Sequence, residues 1–234
     1  MNHRIAKIAL LLGLTGMGLA MAGSLQAGTI TGTIQARGAP ETSEPDNSDA
    51  YQSHRYKFAE RIDYDQLKDF VVYIDQPMPD RAAGQPPPAA VVKQMDAMFV
   101  PHILPIVVGT TVEWPNEDDI YHNVFSMSET AQFDLGLYDR NHPAKRVTFT
   151  KPGRVDVFCA IHTKMHCILL VLPNPYFALA DSRGRFVIKG VPPGVYQLRG
   201  WHERLPSQVR EITVPEQGEI KVDFVLGLGG LPKY

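Results

Sequence analysis

The chain has 234 residues, 44% of them hydrophobic and 21% charged, with a formal charge of −2 at neutral pH. No basic cluster stands out, which argues against nucleic acid as a partner. Nineteen prolines and nineteen glycines, set among many β-branched and aromatic residues, describe a turn-rich, all-β chain.

The N-terminus reads as a secretory signal. Arg4 and Lys7 precede an apolar run from Ile8 to Ala22, and Leu25-Gln26-Ala27 ends on a small residue, which predicts cleavage after Ala27. A retained membrane anchor is disfavoured because the run is short and broken by Gly13, Gly16 and Gly18. Cleavage leaves 207 residues with a formal charge of −4, enough for one large β-domain or two small ones. The mature protein is expected to be soluble and periplasmic, with no membrane partner.

Residues 28–90 read as N-terminal strands and loops. Gly28 to Ile34 alternates Thr and Ile as a strand does. Ala39 to about Lys57 is a polar, Pro-containing loop, and Phe58 to Leu67 could form a helical turn. Phe70-Val71-Val72-Tyr73-Ile74 predicts a buried strand, and Asp80 to Ala90 a stiff linker around Pro86-Pro87-Pro88. From 91 to 172 short strands recur: Val91–Met95, Ala97–Val100, Ile103–Val108, Thr111–Trp114, Ile120–Ser126, Ala144–Thr150 and Arg154–Phe158. The turn Lys151-Pro152-Gly153 separates the last two. Such spacing predicts a sandwich or Greek-key barrel. After Pro173-Asn174-Pro175, residues 173–234 read as hairpins of a second, smaller β-unit with no evident chemistry.

The chemistry concentrates in Phe158-Cys159-Ala160-Ile161-His162-Thr163-Lys164-Met165-His166-Cys167. Apolar runs on both sides, Val155–Phe158 and Ile168–Leu172, predict adjacent strands joined by this loop. A thiol, imidazoles and a thioether at the end of a β-scaffold point to copper. A type 1 site takes two imidazoles and a thiolate, with a weak axial thioether. Cys159, His162 and Met165 supply three of these at Cys-x-x-His-x-x-Met spacing, and His122, in Tyr121-His122-Asn123-Val124, supplies the other imidazole.

Phe99-Val100-Pro101, the run Val108 to Asn116, His122-Asn123-Val124 and Cys159-x-x-His162-x-x-Met165 together resemble the cupredoxin family over about residues 91 to 172. The likeness is to its plastocyanin and amicyanin type, amicyanin sharing the short loop. Phe133 to Tyr138 and Pro175 to Ala178 resemble exported proteins labelled methylamine-utilisation or plastocyanin-like. Residues 176 to 226 resemble a carboxypeptidase regulatory-like, transthyretin-type β-sandwich, which the strands at 28–34 and 70–74 could complete. The resemblance implies one type 1 copper held by His122, Cys159, His162 and Met165, a non-enzymatic role carrying single electrons, and a periplasmic dehydrogenase or cytochrome as partner. His166-Cys167 departs from the family pattern: His166 could replace Met165 axially, and Cys167 could compete for metal or oxidise.

Other readings stay open. Two cysteines in an exported chain can form a Cys159–Cys167 disulfide, leaving a metal-free binding module, and a copper carrier or chaperone is a further alternative. Zinc on Cys159, His162, His166 and Cys167 has the right atoms but crowds four ligands into nine residues. His102 reads as a strand-end histidine, His202 as structural or surface, and Asp118-Asp119 as a solvated turn. Asn123 could hydrogen-bond across the loops and steady the thiolate.

Overall fold

The structure, a computed structural model, describes residues 27–38, 62–78 and 86–227. The signal sequence, the polar loop at 39–57 and the first part of the Pro-rich linker lie outside the described residues. Among the described residues there are eighteen strands, one three-residue 3-10 turn at Tyr64–Gln66, and no α-helix. The all-β expectation holds.

The first sandwich begins with three short strands, β3 (Ala90–Val91), β4 (Lys93–Met95) and β5 (Met98–Val100). They are followed by β6 (Ile103–Val107), β7 (Thr111–Trp114), β8 (His122–Ser128), β9 (Ala131–Tyr138), β10 (Lys145–Thr148), β11 (Gly153–Phe158) and β12 (His166–Leu172). One sheet has the order β6-β12-β11-β8-β9 and the facing sheet β10-β7-β3, with β4 and β5 as a separate hairpin. Strands β6 and β12 run parallel, so the chain crosses over to place its last strand beside an early one. Trp114, Val124, Tyr138, Phe149, Val155, Val157, Leu169 and Val171 fill the space between the sheets. Tyr138 donates its hydroxyl to the Trp114 carbonyl at 2.8 Å and accepts from Gln94 Nε2 at 2.6 Å, which satisfies polar groups deep in this core.

The second sandwich joins both ends of the described chain. It takes β1 (Gly28–Ala36) and β2 (Val71–Ile74) from the N-terminal part. The C-terminal part adds β13 (Phe177–Leu179), β14 (Arg185–Val191), β15 (Gly194–His202), β16 (Leu205–Val214), β17 (Glu219–Lys221) and β18 (Phe224–Leu226). Its sheets are β14-β1-β17, with β18 also on β1, and β13-β2-β15-β16. Ile30, Ile34, Val72, Ile74, Phe186, Leu198 and Phe224 form its core. Gly32 cannot be larger, because a Cβ there would lie 1.7 Å from the Val222 carbonyl oxygen.

Strand β12 explains how the two sandwiches meet. Met165, Cys167, Leu169 and Val171 point into the first core. Ile168, Leu170 and Leu172 point the other way and pack with Val71, Tyr73 and Ile103 against Phe177 and Trp201. Side chains alternate along a strand, so a strand covered on both faces reads as one unbroken apolar run. Asn174 fixes the connection that follows: its Nδ2 donates to the carbonyls of Ile74 and Gln76 at 2.7 and 2.8 Å, and its Oδ1 accepts from Tyr176 N–H at 2.9 Å.

Candidate metal centre

The site lies where β8 begins and where the β11–β12 loop folds over it. The loop closes on itself through Cys159 N–H to the Met165 carbonyl (3.2 Å) and Met165 N–H to the His162 carbonyl (2.9 Å). This short turn holds Cys159 and Met165 buried in the first core while His162 stays partly exposed. Across it, Asn123 gives its backbone N–H to Cys159 Sγ at 3.4 Å, which fixes the position of the sulfur.

His122 is fully buried, and its partners settle which nitrogen is free. Nε2 lies 2.7 Å from Asp118 Oδ2. Burial alone would raise the Asp118 carboxyl, but hydrogen bonds from Ala97 N–H, the His122 ring and Asp96 N–H outweigh it and hold the group below its ordinary range. An ionised carboxylate only accepts, so Nε2 carries the proton and Nδ1 offers its lone pair. That Nδ1 lies 2.9 Å from His162 Nδ1, which in turn lies 3.7 Å from Cys159 Sγ. One ligand atom each from His122, Cys159 and His162 falls within 4.8 Å of the others. Two imidazoles and a thiol converging at a site where His122 and Cys159 are buried are a donor set suited to copper or zinc.

Asp118 does more than the solvated turn expected of it. Its carboxylate accepts from the backbone N–H groups of Asp96 (2.8 Å) and Ala97 (3.0 Å), both at positive φ in the β4–β5 turn. One side chain thus ties a hairpin turn to the buried imidazole. A carboxylate four residues before a histidine was the only hint in the sequence, and it is a weak one. Asn123 also differs from expectation: its link to the sulfur is through the backbone, while its side chain donates to Asp134 Oδ1 at 2.7 Å. Asp134 accepts as well from Gly136 N–H at 2.8 Å.

The departure at His166-Cys167 resolves by strand direction. Cys159 and Cys167 are both free, so the disulfide alternative has no counterpart here. Cys167 sits opposite Val157 on β11 with its thiol pushed far up by burial and by the Asp156 charge. His166 points to the other face of β12, stacks on Phe158 (4.7 Å between ring centroids) and pairs with Asp156 Oδ1 at 3.0 Å. The zinc set of Cys159, His162, His166 and Cys167 is therefore split between two faces, because neighbours on a strand point apart. His202 is buried against Phe70, a structural position.

No protein-family model matches the chain, and neither does any curated protein. Among solved structures, it is similar to a copper-containing nitrite reductase from Thermus scotoductus SA-01, with 32% identity over 41% of this chain and a TM-score of 0.34. That match spans only 25% of the reductase. A purple cupredoxin from Nitrosopumilus maritimus aligns at 22% identity and TM-score 0.31, over 35% of this chain and 98% of its own. A copper(I) amicyanin mutant aligns at 25% identity and TM-score 0.33, over 43% of this chain and 97% of its own. The chemistry of the site rests on its own side chains.

Proposed function

We propose that the chain is an exported one-electron carrier with a single copper centre held by His122, Cys159 and His162, with Met165 as the axial donor. The observation that carries this reading is the convergence of the Cys159 sulfur and the two Nδ1 atoms, with the tautomer of His122 fixed by Asp118. Bound copper would supply a metal that cycles between two oxidation states one electron apart.

The residues then have distinct tasks. Cys159 gives the soft thiolate, steadied by Asn123 N–H. His122 is held rigid by an ionised carboxylate, an orienting partner of the kind that raises ligand basicity. Met165 comes from the same tight loop, buried in the same core cluster as Cys159. A site braced this way changes little between oxidation states, which keeps electron transfer fast. His162 is the ligand with an edge toward solvent; Ile161 beside it in sequence, and Ile120 and Tyr121 just before His122, are exposed apolar side chains. That edge is where a redox partner, a periplasmic dehydrogenase or cytochrome, would dock. No catalytic nucleophile and base are needed for this role, and the chain is proposed not to be an enzyme.

Voltammetry of the copper-loaded mature protein tests the proposal. A reversible one-electron wave, with copper retained against a chelator on the same time scale, supports the carrier. Copper that is lost to the chelator without a reversible wave would make the protein a copper carrier or chaperone instead.

A further inference from the structure

A second group of metal-binding side chains lies where the two sandwiches meet. His102, in the turn between β5 and β6, and His166, at the start of β12, come from the first sandwich. Glu203, in the β15–β16 turn, comes from the second. One ligand atom of each lies within 4.8 Å of the other two. None of the three belongs to the centre around Cys159.

The hydrogen bonds decide which atoms are free. His102 Nδ1 lies 3.1 Å from the His166 carbonyl oxygen, which can only accept, so Nδ1 carries the proton. Its Nε2 lies 3.1 Å from both Glu203 carboxylate oxygens. A lone pair there would face two anionic acceptors, an arrangement that either a proton or a metal cation between them would satisfy. A second proton on His102 would satisfy that pair. It makes no use of the third side chain, His166, whose ligand atom lies within 4.8 Å of both. His166 gives its Nε2 to Asp156 Oδ1 at 3.0 Å. Burial would raise the Asp156 carboxyl, but Arg154 and then His166 outweigh it and keep it ionised. His166 Nε2 is thus committed to Asp156, and Nδ1 is the ring nitrogen left over for a ligand. Each imidazole thus has one N–H committed to an oxygen and one nitrogen left to coordinate, the pattern found around metal-bound histidines.

We propose that His102, His166 and Glu203 bind a borderline divalent cation, zinc(II) or copper(II), that ties the two sandwiches together. Two imidazoles and a carboxylate suit such ions rather than calcium or magnesium, which prefer oxygen donors. Because Glu203 alone comes from the second sandwich, the ion would add a cross-link to the apolar seam formed by Ile168, Leu170 and Leu172.

The test is a metal count. Mature protein carrying one copper per chain is dialysed against micromolar zinc chloride, and zinc per chain is measured by mass spectrometry. One zinc per chain is expected on the native protein, with a loss of that zinc in His102→Ala and at least a tenfold weaker uptake in Glu203→Gln. Glu203→Gln keeps the shape of the side chain, so a loss there with an unchanged circular dichroism spectrum is not misfolding. If the first centre takes zinc rather than copper, the count starts at two and falls to one in His102→Ala, so the two proposals fail separately. No zinc at this site on the native chain, or a count that both variants leave unchanged, overturns the proposal.

Discussion

Asp118 lies 2.7 Å from His122 through its Oδ2, while the same carboxylate holds the N–H groups of Asp96 and Ala97 in the neighbouring hairpin. The buried imidazole is thus oriented by a group that is itself anchored to backbone. Removing that carboxylate in Asp118→Ala frees the His122 ring and both turn N–H groups. Copper affinity is expected to fall by about 10–100-fold, measured by competition with a chelator of known affinity. Folding stability should drop by about 2 kcal/mol in urea unfolding, from the lost hydrogen bonds.

Cys167 is expected to be chemically silent. Its thiol is fully buried in the first core and held protonated, and a protonated, inaccessible sulfur neither binds metal nor reacts. In Cys159→Ser, where Cys167 is the one remaining cysteine, a thiol reagent at mildly alkaline pH should find no reactive group in the native protein and one equivalent after unfolding. Reaction in the native state would contradict the placement.

Ile168 tests the seam between the sandwiches. It is fully buried and faces Val71, Tyr73 and Trp201 rather than the first core. Truncation in Ile168→Ala should cost about 2–5 kcal/mol through lost burial and the cavity left behind. The loss should appear in urea unfolding followed by tryptophan fluorescence, since Trp201 packs on the same patch.

Much of this was legible in the sequence, for physical reasons that can be named. The run Ile168 to Leu172 reads as a strand because it is apolar and β-branched, and it is unbroken because both faces are covered. Cys159, His162 and Met165 read as one ligand loop because three residues of spacing in a tight turn keep their side chains together. What could not be read were relationships across the chain. The tie from Asp118 to the β4–β5 turn depends on two non-glycine residues at positive φ, Asp96 and Ala97, which no local pattern announces. His166 looks like a spare ligand beside Met165, yet strand alternation turns it toward His102 and Asp156. Glu203 lies 101 residues from the histidine it faces, a distance over which sequence carries no signal.

Asp181 sets a specific acid response. Its carboxylate accepts from the Arg185 guanidinium at 2.8 Å and from the N–H groups of Arg183 and Arg185 at 2.9 Å. The Arg185 side chain, followed by these backbone bonds, lowers its pKa to about 2, against about 3.9 in an unfolded chain. A depressed carboxyl stabilises the fold above its unfolded value and loses that contribution as pH falls through the folded value. The melting temperature of Asp181→Asn should therefore lie below that of the native chain at pH 6, and the gap should close between about pH 4 and pH 2. A gap that persists to pH 2 would contradict the assignment.

The central claim is that Cys159 is a copper thiolate flanked by His122 and His162. It is tested most directly by optical and electron-spin-resonance spectra of the mature protein after copper(II) loading, alongside Cys159→Ser. An intense visible thiolate-to-copper band in the native protein, absent from Cys159→Ser, is the expected result. Copper that binds with no such band, or a band that survives the loss of Cys159, would contradict the account.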